Sequence, residues 1–235
     1  MKALLLAAGF GSRLGGVTKN MPKCLVKVGQ ETMLDHWLYK LDRLGVSEFV
    51  INSHYLAEQV DTFISTHPMR ERIHISFEPE LLGTGTTFSQ HLGWLKSDHC
   101  FVVHVDNFCQ DNLEGMCSTF GNRPPSCDGT MLVFGTDRPH ECGIVEYDDN
   151  FILTGFHEKV NKPPSSEANG AVYLLSAKFL QDLHRQAPIL HEISIDLIPM
   201  LIGRMNCYFT KQYFQDIGRQ ETLFKANQWL STQGS

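Results

Sequence analysis

The first half of the chain alternates between short apolar runs and segments whose apolar residues recur at helical spacing. Residues 2–8 form a run that is apolar after its first lysine, as expected of a strand buried on both faces. Residues 32–44 place their apolar side chains on one helical face, and Gly45 follows as a stop signal. The same patterns predict strands at 48–51, 72–77 and 100–105, and helices at 56–65 and 84–95. This alternation predicts an α/β fold with a Rossmann-like, mixed but mostly parallel sheet and helices on both faces.

The pattern changes near residue 125, where strands joined by short turns replace the strand–helix alternation. Strands are predicted at 129–135, 143–147, 151–157, 171–175 and 206–210, and helices at 177–183, 194–201 and 220–230. Asp148-Asp149-Asn150 is typical of a hairpin turn. No internal repeat or low-complexity tract interrupts the chain. We therefore expect a single domain over residues 1–235, built from two halves, 1–125 and 126–235.

Composition narrows the class of protein. The chain has 235 residues, 42% of them hydrophobic, and a net charge of −6, which suits one sizeable core and gives no general attraction to nucleic acid or anionic membrane. No apolar stretch approaches the roughly 20 residues that a membrane span needs, and the first residues are better interpreted as a buried strand than as a signal peptide. The seven cysteines form no CxxC pair, which favours reduced thiols and a cytoplasmic protein.

A glycine-rich loop follows the first predicted strand directly. Gly9-Phe10-Gly11-Ser12-Arg13-Leu14 offers backbone N–H groups to phosphate oxygens, and Arg13 adds a planar cation. A tight strand-to-helix turn explains a lone GxG equally well. The dinucleotide fingerprint is excluded, because Leu14 occupies its third glycine position and Asn52-Ser53-His54 replaces its acidic residue. A P-loop is absent as well.

Longer motifs extend beyond this loop. They are LLAAGFGSRL with Pro22-Lys23 after it, Glu80-Leu81-Leu82-Gly83-Thr84-Gly85, Val105-Asp106-Asn107, Gly143-Ile144-Val145-Glu146, Phe156-His157-Glu158-Lys159, Asn169-Gly170-Ala171-Val172-Tyr173 and Asp216-Ile217-Gly218. In this order the motifs resemble the sugar-nucleotide pyrophosphorylase (NTP-transferase) family, which has the nucleotide-diphospho-sugar transferase fold. Length and motif order most resemble the short guanylyltransferases that act on mannose or heptose 1-phosphate. Two departures are Val105 for the usual glycine and Val160 for the usual proline.

The resemblance implies a role for each matching residue. The nucleotide-binding residues that it implies are Ala7, Ala8, Gly9, Gly11, Ser12, Arg13, Lys23, Leu82, Gly83, Thr84 and Asp106. The sugar-phosphate-binding residues that it implies are Asn107, Gly143, Glu158, Lys159 and Asn169. Arg13, Lys23, Asp106 and Asp216 would be catalytic, and the last two would bind Mg²⁺. The half 1–125 would then bind the nucleotide, and the half 126–235 the sugar phosphate.

The expected function is nucleotidyl transfer from an NTP, with GTP favoured, to a sugar 1-phosphate, with release of pyrophosphate. The partners are thus small molecules, with neither nucleic acid nor membrane, and the oligomeric state stays open. Two alternatives remain at this point: a cytidylyltransferase acting on a phospho-alcohol such as phosphocholine, and a catalytically silent regulatory or binding homologue. His54 and His104 lie near predicted strand ends, where a structural role is commoner than a ligand contact, and no cysteine is assigned a role.

Overall fold

The computed structural model describes residues 1–233. Its strands are β1 (Lys2–Leu6), β2 (Lys27–Val28), β3 (Glu31–Thr32), β4 (Glu48–Ser53), β5 (Ile73–Phe77), β6 (Cys100–His104), β7 (Asn107–Cys109), β8 (Gly129–Gly135), β9 (Gly143–Tyr147), β10 (Leu153–Glu158), β11 (Glu167–Leu175), β12 (Met205–Phe209) and β13 (Phe214–Asp216). Its α-helices are α1 (Met33–Arg43), α2 (Ala57–Ser65), α3 (Thr84–Leu95), α4 (Glu114–Gly121), α5 (Ala177–Gln186), α6 (Ile198–Met200) and α7 (Gln220–Gln233).

A mixed, mostly parallel central sheet organises these elements, so the predicted fold class is confirmed. Within the described residues the hydrogen-bonded strand order is β10-β9-β11-β6-β1-β4-β5, with β8 paired to β11 and β12 paired to β8. Strands β4 and β5 are parallel, as are β8 and β12. Strands β9, β10 and β11 pair antiparallel, as does β8 with β11. These antiparallel pairs of the central sheet fall in the part of the sequence where short turns replace helical connections.

The helix predicted from residue 32 shows why these segments fold as they do. The hydroxyl of Thr32 caps α1 by accepting the N–H of Asp35 at 3.0 Å. The apolar stripe beginning at Met33 is fully buried through Leu41, and the helix ends before Gly45, which has a φ of 81°. Burial of this stripe is the main stabilising contribution, since an isolated helix of this length is marginal in water.

Several predicted boundaries were wrong, each for a local reason. Strand β11 begins at Glu167 rather than at residue 171, because a register shift between Asn169 and Tyr173 lets it continue through an irregular segment. Helix α4 was not predicted, since glycines and small residues leave it with a weak apolar periodicity. The helix expected at 194–201 is a π-helical turn, Ile193–Leu197, followed by the short α6, which contains Pro199.

The described chain divides into two compact units. The N-terminal unit comprises Ala3–Leu81, Val103–Gln110 and the residues from Gln212 onward. The central unit comprises Met1–Lys2, Leu82–Val102 and Asp111–Lys211. The N-terminal unit therefore carries the glycine-rich loop and both aspartates of the candidate site, and the central unit carries the motifs at residues 82–85 and 143–173. Over residues 1–233, none of the helices combines the length and apolar character required to cross a lipid bilayer.

Candidate functional site

The glycine-rich loop of the N-terminal unit is an ordered turn. Two short 3₁₀ turns within Ser12–Thr18 are separated by a kink at Gly15, which has a φ of 58°, and the N–H of Leu14 donates to the carbonyl of Gly11 at 2.9 Å. The hydroxyl of Thr18 donates to the same carbonyl at 2.8 Å. At the far side, the side-chain amide of Gln220, the first residue of α7, donates to the carbonyl of Leu14 at 3.0 Å. The loop is thus closed on itself and held by the helix that follows the Asp216 motif.

A small antiparallel pairing brings the two aspartates together. Strand β13 pairs with β7 in a separate two-stranded sheet, with Asp216 opposite Asn107. The N–H of Ile217 donates to the carbonyl of Asp106 at 3.0 Å. The motifs predict that each aspartate follows a strand at one edge of the main sheet. That route is wrong for Asp216, which is the last residue of β13 and reaches Asp106 through this pairing.

Two cations lie with the two carboxylates. The ammonium of Lys23 contacts a carboxylate oxygen of Asp106 in an ion pair that is largely shielded from solvent on the lysine side. A Cβ placed on Gly218 would lie 2.7 Å from Asp216 Oδ1, 3.3 Å from Lys23 Nζ and 3.2 Å from an Arg13 guanidinium nitrogen. The aspartate oxygen and the lysine nitrogen are therefore at most about 6 Å apart. The structure thus brings Arg13, Lys23, Asp106 and Asp216 into one cluster.

The charges in this cluster act on the two carboxyls in opposite directions. Burial opposes ionisation of Asp106, but the positive charges of Lys23 and then His104 hold its pKa below the usual range. Desolvation by the surrounding protein, followed by the negative charge of Asp106, raises the pKa of Asp216 although its side chain reaches solvent. Lys23 and Arg13 oppose that rise. A cation shared by the two carboxylates would relieve their mutual repulsion and allow both to be ionised.

The donor set fits a hard divalent cation. Asp106 and Asp216 offer carboxylate oxygens, which Mg²⁺ prefers, and Mg²⁺ normally keeps waters and substrate phosphates as its other ligands. Over residues 1–233 no group of three or more His, Cys, Asp or Glu side chains is arranged to hold a metal by itself. A metal in this cluster would therefore complete its coordination shell with waters and phosphate oxygens.

In the central unit, the segment Leu82-Gly83-Thr84 begins α3 as predicted. Gly83 has a φ of 86°, and a Cβ there would lie 2.7 Å from the carbonyl oxygen of His191, so only glycine fits. The carboxylate of Glu192 accepts the hydroxyl of Thr84 at 2.6 Å and its N–H at 3.3 Å. The hydroxyl of Thr84 in turn accepts the N–H of Ile193 at 2.9 Å. A carboxylate at a helix N-terminus also interacts favourably with the helix dipole.

No sequence pattern pointed to Glu192, because its partner Thr84 lies 108 positions earlier. We expect Glu192→Ala to lower the free energy of unfolding by about 1–3 kcal/mol, since the Thr84 hydroxyl and N–H lose their acceptor. Glu192→Gln should cost less, because its amide oxygen still accepts from Thr84. Chemical denaturation of the two variants and the wild type checks this. Equal stability of Glu192→Ala and wild type would contradict it.

The sugar-side motifs of the central unit come together on two hairpin strands. Glu158 at the end of β10 lies opposite Gly143 at the start of β9. The Glu158 carboxylate accepts from the ammonium of Lys159 at 2.9 Å, and the N–H of Lys159 donates to the carbonyl of Cys142 at 3.1 Å. Lys159 has a φ of 49° and a side chain that is 65% exposed. Its ammonium is thus accessible to an anionic ligand.

Asn169 lies at the irregular part of β11. Its side-chain amide donates to the hydroxyl of Tyr173 at 2.6 Å, and its oxygen accepts the N–H of Ala171 at 2.8 Å. Burial, opposed by the hydrogen bond from Asn169 and assisted by the charge of Glu158, raises the pKa of Tyr173. The hydroxyl of Tyr173 accepts from Asn169 and carries a proton that it can donate. Asn169 is thus held in place by its hydrogen bonds with Tyr173 and Ala171.

Comparison with known proteins supports the same interpretation of these motifs. The model of the family described as "Nucleotidyl transferase" matches residues 2–233. The mannose-1-phosphate guanyltransferase of Schizosaccharomyces pombe is 27% identical over 93% of this chain and 61% of its own length. The D-glycero-alpha-D-manno-heptose 1-phosphate guanylyltransferase of Campylobacter jejuni is 26% identical over 95% of this chain and 97% of its own length.

A solved structure shows the same fold. The protein from Bacillus anthracis assigned as a glucose-1-phosphate thymidylyltransferase superposes with a TM-score of 0.84 at 23% identity, covering 97% of this chain and 94% of that one. The chain spans about three-fifths of the length of several curated relatives. The family model nevertheless covers nearly the whole sequence, which confirms the resemblance drawn from the motifs. This chain belongs to the nucleotidyl transferase family.

Proposed function

We propose that this protein transfers a nucleotide from an NTP, with GTP preferred, to a mannose- or heptose-type sugar 1-phosphate and releases pyrophosphate. The observation that supports this most is the cluster of Arg13, Lys23, Asp106 and Asp216, which places two cations beside two carboxylates. Such a set can neutralise a triphosphate directly and through a metal. The proposal treats residues 1–235 as one transferase domain.

The reaction is a direct in-line displacement. An oxygen of the sugar 1-phosphate attacks the α-phosphorus, the bond from that phosphorus to the bridging oxygen breaks, and its electron pair leaves with pyrophosphate. The attacking group is already an anion, so no protein nucleophile is needed. Catalysis is then positioning and neutralisation of charge. Arg13 and Lys23 bind triphosphate oxygens and stabilise the charge that develops on them.

The remaining residues bind the two substrates. For the nucleotide they are Ala7, Ala8, Gly9, Gly11, Ser12, Leu82, Gly83 and Thr84. For the sugar phosphate they are Asn107, Gly143, Glu158, Lys159 and Asn169. Lys159 suits the phosphate because its ammonium is exposed, and Glu158 suits sugar hydroxyls because a carboxylate accepts from them.

Mg²⁺ is the proposed metal, held by the carboxylates of Asp106 and Asp216. When bound, it would neutralise charge on the α-phosphate and on the departing pyrophosphate. In the described structure Lys23 contacts Asp106, so the lysine would exchange part of that contact for triphosphate oxygens when substrate binds. Mg²⁺ fits better than a softer metal because the protein donors here are carboxylate oxygens only.

Pyrophosphate release measured with a panel of NTPs and acceptors tests the reaction. The proposal predicts turnover with a sugar 1-phosphate and none with phosphocholine. Turnover with CTP and phosphocholine would instead support a cytidylyltransferase. A silent homologue would bind nucleotide without releasing pyrophosphate with any acceptor. The motif around Glu158 and Lys159 favours the sugar phosphate, since a phospho-alcohol has no ring hydroxyls for Glu158 to bind.

The base preference is a separate prediction. Guanine is expected because the relatives from S. pombe and C. jejuni are guanylyltransferases that match most of this chain. A base pocket discriminates by pairing its polar groups, and a wrong base leaves some unpaired at a cost of several kcal/mol. GTP should therefore exceed every other NTP in kcat/KM by about 100-fold or more. If UTP, dTTP or CTP gives the highest kcat/KM with every sugar phosphate, the guanine assignment is wrong and the reaction class stands.

A further inference from the structure

Three neighbouring strands of the N-terminal unit are joined by a chain of side-chain hydrogen bonds just before the glycine-rich loop. The N–H of Ala7, the first residue after β1, donates to Asn52 Oδ1 at 2.6 Å. Asn52 Nδ2 donates to Glu78 Oε1 at 2.9 Å. Asn52 is the penultimate residue of β4, and Glu78 follows β5 directly. We refer to Ala7, Asn52 and Glu78 as the polar chain.

The polar chain is buried. Asn52 is 4% exposed and Glu78 2% exposed. Buried polar groups are retained only with partners, because an unsatisfied one costs free energy. The partners also fix the orientation of the amide: the Ala7 N–H can only donate, so it faces the Asn52 oxygen, and the Asn52 nitrogen must then face an acceptor. The Glu78 carboxylate is that acceptor.

The segment after Asn52 contacts the loop at further points. The His54 ring lies edge-on to Phe10, with centroids 5.1 Å apart, and its Nδ1 contacts the carbonyl of Glu78 at 2.8 Å. The hydroxyl of Tyr55 donates to the carbonyl of Lys19 at 2.9 Å. Asn52 and the residues after β4 therefore contact the chain just before the glycine-rich loop, within it at Phe10, and after it at Lys19. The loop contains four glycines between residues 9 and 16, so its path needs such restraint to be unique.

We propose that Asn52 and Glu78 are positioning residues for nucleoside triphosphate binding. They fix the Ala7 N–H, and with it the start of the loop whose backbone faces the triphosphate, although neither side chain needs to contact the ligand. This rests on the proposed nucleotidyl transfer. A pre-organised loop binds triphosphate more tightly because less conformational freedom is lost on binding. The sugar phosphate, assigned mainly to residues of the central unit, should not depend on the polar chain.

Two variants that exchange the amide and the carboxylate between positions 52 and 78 test this. Asn52→Asp keeps the acceptor for Ala7 but turns a carboxylate toward Glu78, where two buried anions repel. Adding Glu78→Gln supplies an amide that donates to the new carboxylate and re-forms the chain with donor and acceptor exchanged. Glu78→Gln alone keeps an amide oxygen that can accept from Asn52, and it is measured as the second single variant of the cycle. Asn206→Asp, in a buried asparagine of β12 with no assigned role in the site, is the matched control.

The measurements are the Kd of the Mg²⁺ complex of the best NTP, by calorimetry, and the KM for each substrate. We expect Asn52→Asp to raise the Kd and KM for NTP about tenfold or more, the equivalent of one lost hydrogen bond. The KM for sugar 1-phosphate should stay within about twofold, since its residues are untouched. The double variant should recover most NTP affinity, and Asn206→Asp should change neither constant.

The outcomes separate this inference from the proposed function. Wild-type protein that binds or turns over no NTP would refute the proposed function, and the inference with it. If the wild type is active and Asn52→Asp has an unchanged Kd and KM for NTP, the inference alone is refuted. The same holds if Asn52→Asp changes the constants for both substrates equally and the double variant shows no recovery. If Asn52→Asp is too unstable to purify, Asn52→Ser replaces it. A selective rise in the NTP constants then supports the inference, and unchanged constants overturn it.

Discussion

Asp106→Asn and Asp216→Asn are each expected to lower kcat/KM roughly a thousandfold, because each removes a charged ligand of the proposed Mg²⁺. This loss corresponds to a rise of several kcal/mol in the activation free energy. An amide oxygen is a weaker ligand than a carboxylate, and it neutralises less of the metal charge. The two residues act on the same ion, so the double variant should be little worse than either single variant. Steady-state pyrophosphate release across the three variants measures both effects.

A second measurement tests the metal independently of turnover. Mn²⁺ can replace Mg²⁺ as a paramagnetic probe, and its binding in the presence of NTP should weaken in both single variants. Asp61→Asn, on the exposed surface of α2, is the matched control and should behave as wild type. Both site variants should stay folded, because the new amide oxygen can still accept from Lys23 in Asp106→Asn and from the N–H of Gly218 in Asp216→Asn. Additive losses in the double variant, or unchanged Mn²⁺ binding, would exclude a shared ion.

Lys23→Ala is expected to reduce kcat/KM roughly 30- to 1000-fold, since it removes one charge-assisted contact to the phosphates in the transition state. This corresponds to a rise of about 2–4 kcal/mol in the activation free energy. The lysine also lies beside two acidic side chains, so its loss leaves Asp106 without the cation that now holds its pKa down. Binding of Mg²⁺ should then become more important for keeping the two carboxylates ionised together. Kinetics at several Mg²⁺ concentrations measures this dependence.

Lys27→Ala provides the control for Lys23→Ala, because Lys27 is an exposed lysine a short distance along the chain. It should leave kcat essentially unchanged and alter the free energy of unfolding by no more than about 0.5 kcal/mol. Circular dichroism and thermal melting establish that Lys23→Ala is folded before its kinetics are compared. A folded Lys23→Ala protein with near-normal kcat/KM would remove Lys23 from the catalytic set.

Local pattern was sufficient for most elements of the fold. The stripe that begins at Met33 predicted α1, and the Thr84 motif and the apolar spacing after it predicted both ends of α3. Strands β8 and β9 have the predicted bounds. These successes share a cause, because periodic burial and helix capping depend on residues only a few positions apart. Helix α4 was missed because it has few apolar residues, and their burial depends on contacts with distant parts of the unit rather than on local periodicity.

For the candidate site, sequence motifs named the members of the charged cluster, and tertiary structure decided how they meet. Strands β7 and β13 are too short to carry a periodic signal, yet their pairing places Asp216 beside Asp106. The contact of Lys23 with Asp106 joins residues 83 positions apart, and no local rule selects that partner. The sequence identified each of these side chains as a candidate through its motif and residue type.

The hydrogen bonds made by Asn52, Glu78 and Glu192 could not be predicted from the sequence. Asn52 entered the sequence argument only as a residue that excludes a dinucleotide fingerprint, and Glu78 and Glu192 had no assignment. Each is a lone polar residue whose meaning depends on a distant partner: Ala7 for Asn52, Asn52 for Glu78 and Thr84 for Glu192. The sequence by itself thus determined the order of elements and the chemistry of the motifs. Only the tertiary structure decided which distant groups satisfy one another, because hydrogen bonds and ion pairs between remote residues form only after the chain has brought them together.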